Sequence, residues 1–532
     1  MKMENVFTLS EHANMNYVAT ICKITELHPI PKADRLLRTV VNGYDIVVQN
    51  TMKEGDIVVY FSVESEINKE FLGANNLFRF DDYTLNANAE EVKDIYMKSL
   101  SAETEDEKKA IMAECNALCG FFTNKGRVRC IKLRDCPSQG FVIPVDSLVK
   151  FRPELKEITD WGPYVGTVFN EVLGEKFCWK YIVPIKSGTP RANKMAKASK
   201  KLERFDKIVP GQFEFHYDTK MLNENMWRFN PDTNVNISVK VHGTSAILAH
   251  VLCNRKLSTW EKIKKFFGCK VKTMEYDHLF SSRKVIKNRY VNPDAHDFYG
   301  VNIWGEADKL FRDYIPEGMT VYGEIAGYLP GGTTMIQKNH DYGCEPGQWK
   351  FMPYRITETD EYGAKTEWDL MKVDTWTHEL VEAHPELAEH VLFLTILYNG
   401  RFGDLYPEID ESEHWNEEVL NALKNDKSFG MELDEPMCML HRDEVALLER
   451  KIAEAKENNV GKKELKKLTQ ALEVSKASLA PREGIVVKIT GDPIGEAWKL
   501  KTQAHYQMET KLLDSGELDM EEAESVAGDD NN

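Results

Sequence analysis

The segment VNISVKVHGTSAILAH, residues 235–250, delivers one lysine, Lys240, at the end of a β-rich run and just before a turn of small residues. A strand end holds an amine in place, and small residues let a phosphate or nucleotide approach the backbone closely. Taken alone, an ordinary hairpin accounts for a lysine before a glycine turn. Other segments add to it. VYGEIAG at 321–327 sets Glu324 at a strand end before a glycine, and PREGIVVKI at 481–489 places Glu483 the same way. WKFMPYRI at 349–356 carries Tyr354 in an apolar run, and SSRK at 281–284 supplies Arg283. EAWKLKT at 496–502 spaces Lys499 and Lys501 two apart, on one face of a strand. Each element alone is a weak signal; together and in this order they are specific.

The elements that must position these groups are legible in outline. Val18, Thr20, Cys22 and Ile24 alternate with different neighbours, and DIVVQ (45–49), IVVYFSV (57–63), RVRCIKL (127–133) and GFVIPV (140–145) are further β-rich runs. Five short strands with turn residues between them fit a small OB-like barrel over residues 1–150. An acidic, helix-favouring insert interrupts it at about 64–124. Residues 151–209 read as a basic connector of loop and short helix. Within it, PRANKMAKASKKLERFDK (190–207) fits either a solvated linker or a strap that tracks phosphates. A second domain follows at 210–510, with an insertion at about 357–480. That insertion holds a helical hairpin at 443–479, marked by Val445, Leu448, Ile452 and Ala455 and then Leu465, Leu468, Leu472 and Leu479. It is expected to pack on its host as a surface insertion. The acidic end, 511–532, is expected to be disordered. The fold class is therefore α+β.

Composition bounds the partners. The chain has 532 residues, 42% hydrophobic and 29% charged, with a formal charge of −17. That total hides a polarised distribution: residues 125–300 sum to +14, whereas 51–107 sum to −9 and 351–450 to −16. A basic middle of this kind leaves room for nucleic acid despite the acidic total. Lys125, Arg127, Arg129, Lys132 and Arg134 cluster with no acid among them; on a strand, 127 and 129 share one face, which suits phosphate contact. No apolar run approaches the ~18 residues of a membrane span. The start, MKMENVFTLSEHANMNYV, lacks an apolar h-region, so no secretory signal is expected. The ten cysteines are scattered without a CxxC pair, which fits a reducing, cytoplasmic setting. Cys115 and Cys119 share a helix face and are expected to pack rather than bind metal.

The series KVHGTS, VYGEIAGYLPGGTTMIQKNHDYG, WKFMPYRI, PREGIVVKI and EAWKLKT resembles the nucleotidyltransferase motifs of the covalent ligase and capping-enzyme superfamily. The histidine form of the first motif, where KxDG is usual, is similar to the RNA ligase 2-like group. GRVRCIKLRDCPSQGFVIP (126–144) is similar to the leading OB domain of RNA ligases that place such a module before the transferase. HPIPKADRLLRTVVNG (28–43) resembles, over a shorter stretch, tRNA-binding OB modules. The resemblance implies a transferase domain of antiparallel sheets and helices. It covers about 210–356 and 480–502. Two departures stand out: the group carries Asn where Ser245 stands, and it has a helical C-terminal domain for which only about thirty residues remain after Lys501. RNA docking would then fall to the N-terminal module.

What the resemblance implies is an ATP-dependent RNA ligase that joins 3′-hydroxyl and 5′-phosphate ends through a lysyl-AMP intermediate, in RNA repair. Lys240 is then the nucleophile, and it needs a lowered pKa, to which Lys499, Lys501 and a bound metal would contribute. Tyr354 would stack on the adenine, Arg283 and Glu324 would hold the ribose, and Lys499 and Lys501 would contact the α-phosphate. Glu483 would ligate Mg²⁺ or Mn²⁺. His242 would either orient the phosphate or leaving group or cap the turn. Arg127, Arg129, Lys132 and Arg134 would contact RNA, a nicked duplex or a tRNA-like substrate. The expected setting is cytoplasmic, a viral protein in a host cytoplasm included. Two other readings stand beside it: a DNA ligase or capping guanylyltransferase, against which KVHG and the leading OB module argue, and a non-catalytic OB-type RNA-binding protein, against which the intact lysines and Glu483 argue.

Overall fold

The computed structural model describes residues 5–102, 104–183, 207–286, 301–431, 434–458, 460–492 and 495–516. Nearly all of the basic stretch 190–207, and the acidic end from 517, lie outside the described residues. The chain divides into two units. One runs to Val183 and takes in Asn223–Met226 and Tyr506–Asp514; the other holds Pro184–Leu222, Trp227–His505 and Ser515–Asn532.

The longer strands in the first part of the first unit are β1 (Ala19–Lys23), β2 (Leu36–Val41), β3 (Tyr44–Gln49) and β4 (Ile57–Phe61). β2 and β3 form a hairpin whose two turn residues, Asn42 and Gly43, both take positive φ (53° and 78°). Asn-Gly favours that turn because its twist matches the strands on either side. The acidic insert follows as helices α1 (Lys69–Ala74), α2 (Ala89–Leu100) and α3 (Glu105–Ala117). Glu90 and Glu91 begin α2, and Glu105, Asp106 and Glu107 begin α3, where carboxylates complement the helix dipole. Cys115 is buried on α3, and burial raises its thiol pKa, as it does that of Cys119. The chain returns as β5 (Cys130–Leu133), β6 (Cys136–Gln139), β7 (Phe141–Pro144) and β8 (Val168–Phe169).

The largest sheet of this unit has the order β7-β4-β1-β8, and β2 and β3 belong to a separate three-stranded sheet. Residues 168–180, expected within a connector, instead pair into the unit. Val168 lies opposite Thr20, and Cys178–Lys180 pairs with Ser65–Ile67. Ile21, Val59, Phe61, Phe71, Phe169 and Phe177 are fully buried together. Each such side chain contributes roughly 1.5–3 kcal/mol of transfer free energy.

The second unit is built on two five-stranded sheets. Its strands are β9 (Lys220–Met221), β10 (Asn234–Lys240), β11 (Thr244–Asn254), β12 (Met274–Ser281), β13 (Met319–Gly327), β14 (Trp349–Thr359), β15 (Lys365–Glu367), β16 (Ile396–Arg401), β17 (Gly484–Ile489) and β18 (Ala497–Lys501). One sheet has the order β9-β18-β17-β10-β16 and the other β12-β11-β13-β14-β15. Every pairing is antiparallel except β9 with β18. Its helices include α4 (Thr259–Phe266), α5 (Ile303–Phe311), α6 (Leu370–Ala383), α7 (Arg442–Glu457) and α8 (Lys462–Lys476); α9 (Gln503–Ser515) starts in this unit, and its residues Tyr506–Asp514 belong to the first. α5 buries Ile303, Trp304, Ala307 and Phe311, a helical spacing, in a core shared with Leu248, Val321 and Phe351. α7 and α8 are the expected hairpin; Lys476 Nζ meets Glu449 Oε1 at 2.7 Å across it. Among the described residues, no helix is long and apolar enough to cross a membrane.

Candidate active site

β10 carries Val235, Ile237 and Val239 into the core, with Asn236, Ser238 and Lys240 alternating on its other face. The strand thus ends with Lys240 on its polar face, and Lys240 pairs in register with Gly484 of β17. Glu483, one residue earlier, is buried, and its Oε1 lies 2.8 Å from Lys240 Nζ. Gly484 takes φ +152°, and a Cβ there would fall 2.0 Å from the Leu500 carbonyl oxygen. Only glycine lets β18 approach closely enough to bring Lys501 opposite that position and Lys499 opposite Val486.

The His-Gly-Thr-Ser turn then leads into β11. A Cβ on Gly243 would lie 2.4 Å from the Ile325 carbonyl and 2.8 Å from Glu324 Cγ, so the turn presses directly on β13. Ser245 pairs with Glu324 in the sheet, and its Oγ donates to Glu324 Oε2 at 3.5 Å. The serine at this position therefore touches a carboxylate of the site. The turn is held from behind by the QKNHDYG segment. The Gln337 amide donates to the Gly243 carbonyl at 2.8 Å, and the His242 backbone N–H donates to the Tyr342 hydroxyl at 2.7 Å. The Asp341 carboxylate in turn accepts the backbone N–H groups of Met439 (2.8 Å) and Leu440 (2.9 Å) just before α7. Arg482, beside Glu483, pairs with Glu435 at 3.1 Å. The inner edge of the insertion thus braces the site.

A pocket of about 740 Å³, its open mouth included, lies over these strands. Lys240, Ser245, Arg283, Glu324 and Tyr354 line it. Arg283 pairs with Asp218, whose carboxyl sits low because Arg283 and Lys284 outweigh its burial. Sequence reasoning missed His216, Ser238 and Lys488, which share the wall. Lys488 had a readable signal: a cation inside the apolar run GIVVKI, two residues from Val486 on the same strand face. It pairs with Glu367 at 3.0 Å, which also receives Arg355 at 2.7 Å. The His216 ring lies 5.2 Å from that of Tyr354, and burial with Arg283 and Arg355 nearby keeps it neutral.

The charge state of Lys240 differs from the expectation. Burial pulls its pKa down, but Glu483 and Glu324 outweigh that, and the ammonium is held above its ordinary range. The depressed lysine is Lys499: burial, reinforced by Lys501, Lys240 and Arg283, brings it to about 7. Burial also works against ionised Glu483, but Lys240, His242 and His505 keep its carboxyl well below the usual range.

Two histidines face Glu483, and a third packs against one of them. His242 Nδ1 lies 3.6 Å from Oε2 and His505 Nε2 lies 3.8 Å from Oε1. His242 stacks edge-on against both His505 and His340, each at 4.8 Å. His340 is fully buried between the carbonyls of Lys338 (2.9 Å) and Pro481 (3.1 Å), and burial, with His242 adding, drops it to about 3, so the neutral ring donates to one of them. One ligand atom each from His242, Glu483 and His505 come within 4.8 Å of one another, a donor set that fits a divalent metal. His505 belongs to no recognisable motif; it follows Thr502, whose hydroxyl accepts its backbone N–H at 3.1 Å.

In the first unit, the expected basic strand face is not formed. β5 begins only at Cys130, and Arg127 is buried, paired with Asp514 and donating to the Thr510 carbonyl at 3.2 Å. An arginine so enclosed cannot reach an RNA phosphate. Arg129 lies 3.7 Å from the same carboxylate. Lys132 and Arg134 are exposed on β5 and the turn after it.

An OB-fold domain family model matches residues 18–102. No curated protein matches the chain. Among solved structures, the chain is similar to Naegleria gruberi RNA ligase. A lysine-to-alanine mutant with ATP and Mn is 17% identical, covering 92% of this chain and 98% of that one, with a TM-score of 0.44. A glutamate-to-alanine mutant with AMP and Mn is 16% identical over the same shares, with a TM-score of 0.45. The same ligase with PPi is 17% identical, covering 93% and 98%, with a TM-score of 0.43.

Proposed function

We propose that this chain is an ATP-dependent RNA ligase that seals RNA 3′-hydroxyl and 5′-phosphate ends in RNA repair. The observation that carries the reading is Lys240 at a strand end inside a pocket shared with Glu324, Arg283 and Tyr354, with Glu483 at 2.8 Å. Lys240 Nζ attacks the α-phosphorus of ATP, a P–N bond forms, and pyrophosphate leaves. An RNA 5′-phosphate oxygen then takes the adenylate, freeing the lysine. Finally the RNA 3′-oxygen attacks that 5′-phosphorus and AMP leaves.

The chain's own groups fit these steps. Tyr354 offers an aromatic face to the adenine, and Arg283 and Glu324 face the ribose. Lys499 and Lys501 supply positive charge where the non-bridging oxygens gather negative charge. Glu483, with His242 and His505 beside it, would hold Mg²⁺ or Mn²⁺. When bound, such a cation supplies charge stabilisation for the phosphates and competes with the Lys240 ammonium for the carboxylate. Of the four basic residues expected to contact RNA, Arg129, Lys132 and Arg134 remain with Arg127 enclosed.

The test is incubation with α-labelled ATP and Mn²⁺ or Mg²⁺. The expected result is a covalent protein–AMP adduct that Lys240→Ala abolishes. An adduct that persists in Lys240→Ala overturns the nucleophile. No adduct in the wild type supports instead an RNA-binding protein without catalysis.

A further inference from the structure

β11 and β12 form a long hairpin rooted in the pocket. β11 starts at Thr244 beside the Lys240 turn, and β12 ends at Ser281, two residues before Arg283. The strands stay in register from Ile247↔Ser281 out to Asn254↔Met274. At the far end sits α4, capped by Ser258 and Glu261 in a reciprocal capping box. The cap orders the helix, yet its apolar residues are bare: Trp260 is 74% exposed, Phe266 86% and Phe267 75%. Lysines are interleaved with them. TWEKIKKFFGCKVK (259–272) holds five lysines, all exposed, against one glutamate, which is engaged by the cap and by Arg255.

We propose that α4 is an outlying binding site for single-stranded RNA, gripping the strand some distance from the ends being joined. The inference rests on RNA being the substrate, as argued above. Charge complementarity chooses the occupant. Five lysines in fourteen residues match a polyanion, and three aromatic faces among them suit unstacked bases, the combination that binds single strands without sequence preference. An anionic membrane would meet the same charges. The α4 helix, however, is only eight residues long, Lys262 and Lys264 border its aromatic face on either side, and it stands on a hairpin rooted in the pocket, along which a strand leaving the site would pass. The eleven residues of β11 span about 35 Å. At about 3.4 Å per nucleotide of one strand, α4 lies roughly ten nucleotides from Lys240. The site therefore adds affinity only for RNA long enough to reach it.

The experiment uses the full chain and fluorescein-labelled, 5′-phosphorylated single-stranded RNAs of about 24 and about 6 nucleotides, read by anisotropy. Trp260→Ala/Phe267→Ala is expected to weaken the long RNA about tenfold or more and to leave the short RNA unchanged. Lys262→Ala/Lys264→Ala/Lys265→Ala is expected to reduce the slope of log affinity against log salt by about 2. Both variants are expected to form the protein–AMP adduct at the wild-type rate. Unchanged affinity for the long RNA overturns the proposal. So does loss of sedimentation with phosphatidylserine-containing vesicles while RNA affinity holds, which would assign α4 to a membrane surface. If the wild type forms no adduct but long-RNA affinity still depends on α4, the ligase reading fails and the RNA site stands. If the adduct forms and α4 is silent toward RNA, the reverse holds.

Discussion

Lys240 Nζ and Glu483 Oε1 lie 2.8 Å apart in a buried site, and the pair keeps both groups charged. A lysine attacks a phosphorus only as the free amine, so the carboxylate restrains the nucleophile. Glu483→Gln removes the largest attraction on the ammonium while burial remains. The lysine pKa then falls, and the rising limb of adduct formation against pH moves to lower pH. The maximal rate drops as well, because the proposed metal ligand is lost. Single-turnover adduct rates across the pH range measure both effects. An unmoved limb would show that Glu483 does not set the charge of Lys240.

The His242 N–H to Tyr342 hydroxyl bond, at 2.7 Å, ties the active-site turn to the QKNHDYG loop. Tyr342 is buried, so Tyr342→Phe leaves a backbone donor without this acceptor and costs about 1–3 kcal/mol. The expected result is a lower melting temperature together with slower adduct formation. Gln337→Ala, which frees the Gly243 carbonyl, is expected to act in the same direction. Melting with normal adduct kinetics would mean that the loop stabilises the unit without positioning the turn.

The residues that local pattern can reveal were legible in the sequence, and those set by distant contacts were not. Lys240, Glu324 and Glu483 sit in or beside β-rich runs with a glycine one to three residues on, and Tyr354 sits inside an apolar run. The α7–α8 hairpin shows itself by helical spacing. Arg127 looks like part of a basic stripe, but its partner Asp514 is 387 positions away, and no local pattern announces that pairing. The charge of Lys240 depends on which group faces it across the sheet, and the cations near in sequence logic, Lys499 and Lys501, lose to Glu483. β8 has only two residues, too short for any periodicity to show. His505 enters the site through the fold at the start of α9, with no motif around it.

Lys499 carries a stability prediction. Its folded pKa is about 7, below the ordinary lysine value of 10.5. Below pH 7 it is charged in both states, and burial among other cations makes the folded state bear the full penalty. Between 7 and 10.5 the unfolded chain holds the proton and the folded chain does not, so this contribution to stability rises with pH. Lys499→Met removes the buried charge. It is expected to raise the melting temperature most at pH 6, with the gain shrinking toward pH 10, and to reduce adduct formation throughout. A gain independent of pH would mean that packing, not charge, is responsible.

Arg127 and the exposed basic residues of β5 and its following turn separate stability from RNA contact. Arg127 is enclosed and Asp514 is half-exposed, so breaking the pair leaves a costly charge on one side only. Asp514→Ala, which strands Arg127, is expected to destabilise the first unit by roughly 2 kcal/mol. RNA affinity measured well below the new melting temperature should be unchanged. Lys132→Ala/Arg134→Ala should do the opposite, weakening RNA binding and its salt dependence while leaving the melting temperature alone, because exposed charges contribute little to folding. Thermal melts and RNA titrations on the two variants decide the matter. If Asp514→Ala weakens RNA binding as much as the double variant does, with the fold intact, then Arg127 reaches the RNA after all.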